Sequence, residues 1–309
     1  MSSDNPLKIL KPLEARFKCH DANDVFMKDI TSFGMKGYDE ATHVIIGCPQ
    51  DQGVRRNCGR VGAAGAPTAI RKALYQYKAP LDHAGVRLCD MGDVDVLGEL
   101  ETIHERQRRV VRRILEDGKR VLVFGGGNDI SYPDARALAE AEGEIAAVNV
   151  DAHLDMRKAS EPHSGTPYRQ LLDDGFLKPE NFHEVGIQPH ANSPEYLRQA
   201  QDMGVNICTL AMVRRHGWMA VLENLLPALE RKPFFAGLDM DAIRASDAPG
   251  VSALAAVGLT GWEAMEFAAG CRHGARIFEI TETNPEHDMD GRTVRLAANV
   301  ALSWLYGLS

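Results

Sequence analysis

Short apolar runs of strand length recur along this chain, each followed by a stretch of helical spacing, and that alternation limits the fold more than any other feature. The runs are "THVIIGCP" (42–49), "VRLCD" (86–90), "RVLVFG" (120–125), "IAAVNVD" (145–151), "FHEVGI" (182–187), "VNICTL" (205–210), "FFAGLDMD" (234–241) and "ARIFEIT" (275–281). Most are continuous rather than alternating, as expected for a parallel sheet buried on both faces. Helical patterns lie between them at 66–78, 101–118, 193–204, 216–230, 261–273 and 292–308. The second of these puts Ile103, Val110, Val111, Ile114 and Leu115 on one stripe, and the third has Ser193 as its cap and Gly204 as its stop. The fold class expected is α/β with three layers. An open, mostly parallel sheet of about eight strands would carry helices on both faces. Residues 1–309 read as a single domain, with 1–40 as an N-terminal extension packed on it.

Composition excludes several classes of function. With a net charge of −8 and no basic block, the chain offers nothing for nucleic acid. No run of ~18 apolar residues is present, so no membrane span is expected. The N-terminal stretch "MSSDNPLKILKPLEARFK" lacks the apolar core of a signal peptide, which points to the cytoplasm. The six cysteines, Cys19, Cys48, Cys58, Cys89, Cys208 and Cys271, are scattered without a C-x-x-C pair and read as reduced thiols, with the loop residue Cys58 open to redox chemistry. The partner expected is a small-molecule substrate, and homo-oligomerisation is left open.

In an open parallel sheet, ligands bind beyond the carboxyl ends of the strands. The residues that close the apolar runs therefore carry the functional information. One run closes with "FGGGNDIS", the next with "DAHLD", a later one with "GLDMD" and the last with "EITETNP". Together these deliver Asn128, Asp151, His153, Asp155, Asp239, Asp241, Glu279 and Glu282 to one rim. Residues two apart on a strand share a face, so Asp151, His153 and Asp155 can converge, as can Asp239 and Asp241. Such a cluster repels itself without cations. Oxygen donors with an imidazole suit Mn2+ or a similar divalent ion, and two carboxylates able to bridge suggest a pair of ions. Glu279 is open between this cluster and a structural pairing.

These motifs, in this order, resemble the ureohydrolase superfamily of arginase, agmatinase and formimidoylglutamase. The upstream "GRVGAAGAPTAIR" fits the same pattern. The resemblance implies an arginase-like fold and two Mn2+ ions, with Asp151 and Asp239 bridging them. It implies that Asp155 joins the first ion and that His153 and Asp241 hold the second. Asn128 stands where the family usually places a histidine ligand, so the first ion would be held more weakly. A metal-bridging hydroxide would attack the amidine carbon, with Asp155 accepting its hydrogen bond. Glu282 would orient the amidine, and His163 of "EPHSGTPYR" would shuttle a proton to the departing group.

The loop "GVRRNCGR" (53–60) and the later "PGVSA" (249–253) resemble formimidoylglutamases more than arginases or agmatinases. Arg55, Arg56, Asn57 and Arg60 are the candidate substrate-binding residues, an arginine there being suited to a glutamate carboxylate by a bidentate fork. The expected reaction is hydrolysis of N-formimidoyl-L-glutamate to L-glutamate and formamide, a step of histidine degradation. The alternatives are a guanidine hydrolase acting on agmatine, arginine or a guanidino acid, and a catalytically weak member serving as a binding or regulatory subunit.

Overall fold

Nine strands form one sheet in the computed structural model, which describes residue 21, residues 23–83 and residues 85–308. They are β1 (Thr31–Phe33), β2 (His43–Gly47), β3 (Leu88–Asp93), β4 (Arg120–Phe124), β5 (Ala146–Val150), β6 (Phe182–Ile187), β7 (Asn206–Thr209), β8 (Phe234–Asp239) and β9 (Ala275–Thr281). Their order across the sheet is β1-β3-β2-β4-β9-β8-β5-β6-β7, and every pairing between them is parallel. Eight strands coincide with the apolar runs. The ninth, β1, has only three residues and sits at the sheet edge. It falls within the segment expected to be an extension; residues 1–20, with Cys19, lie outside the described residues.

The helices are α1 (Met35–Tyr38), α2 (Gln52–Arg56), α3 (Ala66–Leu74), α4 (Leu100–Glu116), α5 (Ser131–Glu142), α6 (Pro167–Asp173), α7 (Pro194–Met203), α8 (Leu210–His216), α9 (Trp218–Leu229), α10 (Gly261–Cys271) and α11 (Arg292–Tyr306). Two apolar cores flank the sheet. Ile45, Leu122, Phe124, Val148 and Val150 pack on one side with residues of α3, α9, α10 and α11. Val44, Ile46, Val121, Val123 and Ala147 pack on the other with residues of α4, α5, α6 and α7. Alternate residues of each strand thus enter opposite cores, which is why the strands read as continuous apolar runs.

The caps follow the local sequence. Ser193 accepts the Glu195 N–H at the start of α7, and Gly204, at φ +90°, ends it. Thr260 and Glu263 form a capping box at the start of α10. Helix α5 was not among the helical patterns. Its buried set includes Ser131, Pro133 and Asp134, and that breaks the apolar period. The helix expected over 216–230 is α9, and Gly217 (φ +87°) separates it from α8, which was not among the helical patterns.

Candidate active site

The four motif-bearing strands, β4, β9, β8 and β5, are consecutive neighbours in the sheet. Their carboxyl ends therefore open side by side. After β4 the chain makes a glycine turn against the segment following β2. Gly127 N–H donates to the Gln50 carbonyl, and a Cβ on Gly126 would lie 1.7 Å from that oxygen. Only glycine fits there. The turn ends on Asn128, whose backbone N–H donates to Glu282 Oε1 at 2.7 Å, while Glu282 N–H donates to the Gly126 carbonyl.

Asp151 is fully buried just beyond β5 and accepts the His153 N–H at Oδ1, 2.8 Å away. His153 Nδ1 lies 3.3 Å from Asp151 Oδ1 and 3.3 Å from Asp241 Oδ1. Asp239 closes β8 and accepts the Asp241 N–H at 2.8 Å. Asp155 and Glu282 both sit in the left-handed region, at φ 47° and 59°, a strain that non-glycine residues adopt mainly where function or a tight turn holds them. Two sets of donor atoms come within 4.8 Å of one another: Asp151, His153 and Asp241, and Asp151, Asp155 and Asp239. Asp151 belongs to both.

The electrostatics of this cluster show what it lacks. Burial, followed by the Asp241 charge, pushes the Asp151 carboxyl up to about 6. Burial and neighbouring carboxylates raise Asp155 and Asp239 well above the usual range, and burial raises Glu282 likewise. The Asp241 carboxylate drives His153 up to about 12. Buried Glu282 Oε2 has no hydrogen-bond partner. So many converging acids with so few donors fit divalent cations, whose charge would hold every carboxylate ionised. The residues present suit a pair of hard ions with oxygen ligands and one imidazole.

A cavity of about 380 Å³ opens over the cluster, and its wall includes His153, Asp155, Asp239, Asp241 and Glu282. Of the four candidate substrate-binding residues, the wall includes Asn57 alone. Arg56 forms a two-pronged pair with Glu101 at 2.7 and 3.2 Å and donates to the Pro162 carbonyl, tying α2 to α4. Arg60 donates to the Val251 carbonyl, and Arg55 is exposed and not part of the cavity wall. The cation on the wall is Arg157, which donates to Asn57 Oδ1 at 3.2 Å. Sequence reasoning passed over it, although it follows Asp155 by two residues in "DAHLDMR".

His163 lies just outside the wall. Its Nδ1 accepts the Gly165 N–H at 3.0 Å, which leaves the ring proton on Nε2 in the neutral form. Burial, then Arg157, lowers its pKa. Glu279 is fully buried within β9 with Oε1 against Ser131 Oγ, so it belongs to the packing beneath the site. Asn284 of "ETNP" donates to the Arg60 and Val61 carbonyls and fixes the loop over the site.

The arginase family model matches residues 41–307. The chain belongs to the arginase family. Within that family it is 33% identical over 287 residues to the formimidoylglutamase of Bacillus subtilis strain 168, covering 88% of this chain and 89% of that one. A crystal structure of formimidoylglutamase from Bacillus subtilis superposes with a TM-score of 0.87 at 30% identity, over 96% of this chain and 95% of that one. An asparagine-to-histidine variant of the Trypanosoma cruzi formiminoglutamase, crystallised with Mn2+, superposes equally well, at 0.87 and 33% identity, over 93% and 98% of the two chains. The family resemblance drawn from the strand-end motifs is therefore borne out.

In this arginase-family chain Asn128, at the end of the glycine turn, has its side chain fixed from three sides. Nδ2 donates to Asp155 Oδ2 at 2.6 Å, and Oδ1 accepts the Ser131 and Thr281 hydroxyls at 2.9 and 3.0 Å. No helix among the described residues is long and apolar enough to cross a membrane.

Proposed function

We propose that this protein hydrolyses N-formimidoyl-L-glutamate to L-glutamate and formamide in a metal-dependent reaction. The observation that carries the reading is the pair of donor sets sharing Asp151, set in the wall of a cavity that also presents Arg157. The names of the relatives support the substrate: formimidoylglutamases match over most of this chain.

Asp151, His153 and Asp241 would hold one Mn2+, and Asp151, Asp155 and Asp239 the other. When bound, such ions supply an ionised water at neutral pH and stabilise charge developing at the amidine carbon. The remaining steps belong to the chain. Arg157 binds a substrate carboxylate through its planar fork, with Asn57 holding the guanidinium in place. We assign the carboxylate to Arg157 in place of Arg55, Arg56 and Arg60 because none of those three is on the cavity wall. Glu282 Oε2 is buried, unpartnered and on the wall, so it accepts an N–H of the amidinium group. Asp155 takes up the proton of the attacking water, and His163, neutral with its proton on Nε2, relays a proton to the departing glutamate amine. Hydrolysis breaks the bond between the formimidoyl carbon and the glutamate nitrogen, and oxygen ends on formamide. The reaction needs no other co-substrate, and we place it in the cytoplasm.

The test is turnover of formimidoyl-L-glutamate by wild type, Asp151→Ala and Asp239→Ala proteins in the presence of Mn2+. Both variants should stay folded and lose activity at least 1,000-fold, on the order expected for removing ligands that serve the nucleophile. Activity near wild type in either variant would contradict the shared site.

A further inference from the structure

Next to Asp151, and outside the cavity wall, lies a polar pair that the reaction does not use. Asn149 of β5 and Glu184 of β6 are direct neighbours across the two strands, and both are fully buried. The Asn149 side-chain nitrogen lies 3.2 Å from Asp151 Oδ2 and 3.2 Å from Glu184 Oε2. A primary amide has two N–H groups, so one can go to each carboxyl. Glu184 Oε1 and Asn149 Oδ1 have no hydrogen-bond partner, and Glu184 forms no ion pair with any of the described residues.

A buried acid without a cation is costly, and an apolar side chain would fill the same space at lower cost. Its hydrogen bond runs to Asn149, and the other bond of that amide runs to the carboxylate shared by both donor sets. Asp151 Oδ1 is already fixed by the His153 N–H. Asn149 fixes Oδ2, so the two oxygens are oriented from two directions before any ion arrives.

We propose that Asn149 and Glu184 are positioning residues for the metal centre, Glu184 orienting the Asn149 amide and that amide setting the angle of the shared Asp151 carboxylate. This rests on the reading of the Asp151 cluster as a metal site. Neither residue touches substrate. Partners of this kind behind a ligand typically govern affinity by 10–100-fold.

The test is an Mn2+ titration of the chelator-treated full chain, with free ion followed by electron paramagnetic resonance and thermal unfolding recorded without metal. Asn149→Ala and Glu184→Met should each weaken Mn2+ binding about tenfold or more. Glu184→Gln keeps an oxygen acceptor for the amide and should bind within about threefold of wild type, a factor below one kcal/mol. A purely structural role would lower the unfolding temperature of Asn149→Ala and Glu184→Met and leave their Mn2+ affinity at the wild-type value, and that result overturns the proposal. Equal weakening in Glu184→Gln and Glu184→Met with an unchanged Asn149→Ala would overturn it as well, since charge rather than the relay would then be responsible. A wild-type chain that binds no Mn2+ would overturn the metal site and the positioning pair together. Tight wild-type binding with unaffected variants would remove the positioning pair alone.

Discussion

Asn128 is held by two hydroxyls on its oxygen and by Asp155 on its nitrogen, so the amide presents a donor rather than a lone pair to the acidic cluster. An amide is also a weaker ligand for Mn2+ than an imidazole. The ion on the Asp155 side should therefore be the weaker of the two, and the purified chain should carry less than a full complement of metal. Replacing Asn128 with His should tighten that ion by about tenfold, taking as a scale the effect of perturbing a partner behind a ligand. Metal content after dialysis, measured for both proteins, checks this; equal content in the two would mean that Asn128 is no handicap. Arg157 makes a second prediction at this scale. A carboxylate bound alike in ground and transition states affects KM rather than kcat. Charge-assisted hydrogen bonds contribute about 1.5–3 kcal/mol, so Arg157→Ala should raise KM for formimidoyl-L-glutamate roughly 10–100-fold with kcat little changed. Arg56→Ala, which breaks the pair with Glu101, should leave KM within about twofold, because exposed pairs of that kind contribute little. The reverse ranking would return the carboxylate to the loop arginine.

At the scale of elements, the glycine turn after β4 is where backbone geometry and the site meet. Gly126→Ala would drive a Cβ into the Gln50 carbonyl and displace the turn that carries Asn128 and receives the Glu282 N–H. We expect a loss of about 1–3 kcal/mol in stability, on the scale of overpacked sites, together with reduced Mn2+ content. Unfolding by urea and metal analysis on the same preparation check both parts. Unchanged values would show that the turn yields easily. The strands that bear the site were legible in the sequence because each is buried on both faces and ends abruptly on polar residues. Edge strand β1 was not, since three residues carry no period. Helix α5 was hidden by the buried Ser131 and Asp134, which pack beneath the site instead of facing water. The acidic cluster was legible as spacing along two strands, and its convergence followed from sheet order. The cation on the cavity wall was not legible: the loop arginines and Arg157 have the same chemistry. Only the fold shows that Arg56 is taken up by Glu101 while Arg157 lines the cavity.

Taken as a whole molecule, the chain keeps a cluster of acids in its interior that its own cations do not neutralise. In the metal-free protein the Asp151 carboxyl, pushed up to about 6, keeps a proton that the unfolded chain releases near pH 4. The folded state therefore binds more protons across that window, and the Asp151 contribution to stability falls as pH rises from about 4 to 6. The raised His153 acts in the opposite sense to a buried neutral imidazole. Its contribution is complete below its ordinary value near 6.5 and falls progressively as pH rises from there toward 12. Because cations compete with protons for the same carboxylates, Mn2+ should raise the unfolding temperature more at pH 7.5 than at pH 5. Thermal scans with and without Mn2+ at the two pH values test this, and a shift independent of pH would contradict the buried acids as the binding site.

The measurement closest to the central claim is product identification. The full chain with Mn2+ is offered formimidoyl-L-glutamate, agmatine and L-arginine in parallel, and formamide, urea and free amine are followed by nuclear magnetic resonance. The structure predicts formamide and L-glutamate in equal amounts from the first substrate, dependent on Mn2+, with urea from agmatine, which has no carboxylate to pair with Arg157, slower by at least about 100-fold, the discrimination expected when a site's charged partner is missing from the ligand. Preferential release of urea, or formamide released at the same rate without metal, would contradict it.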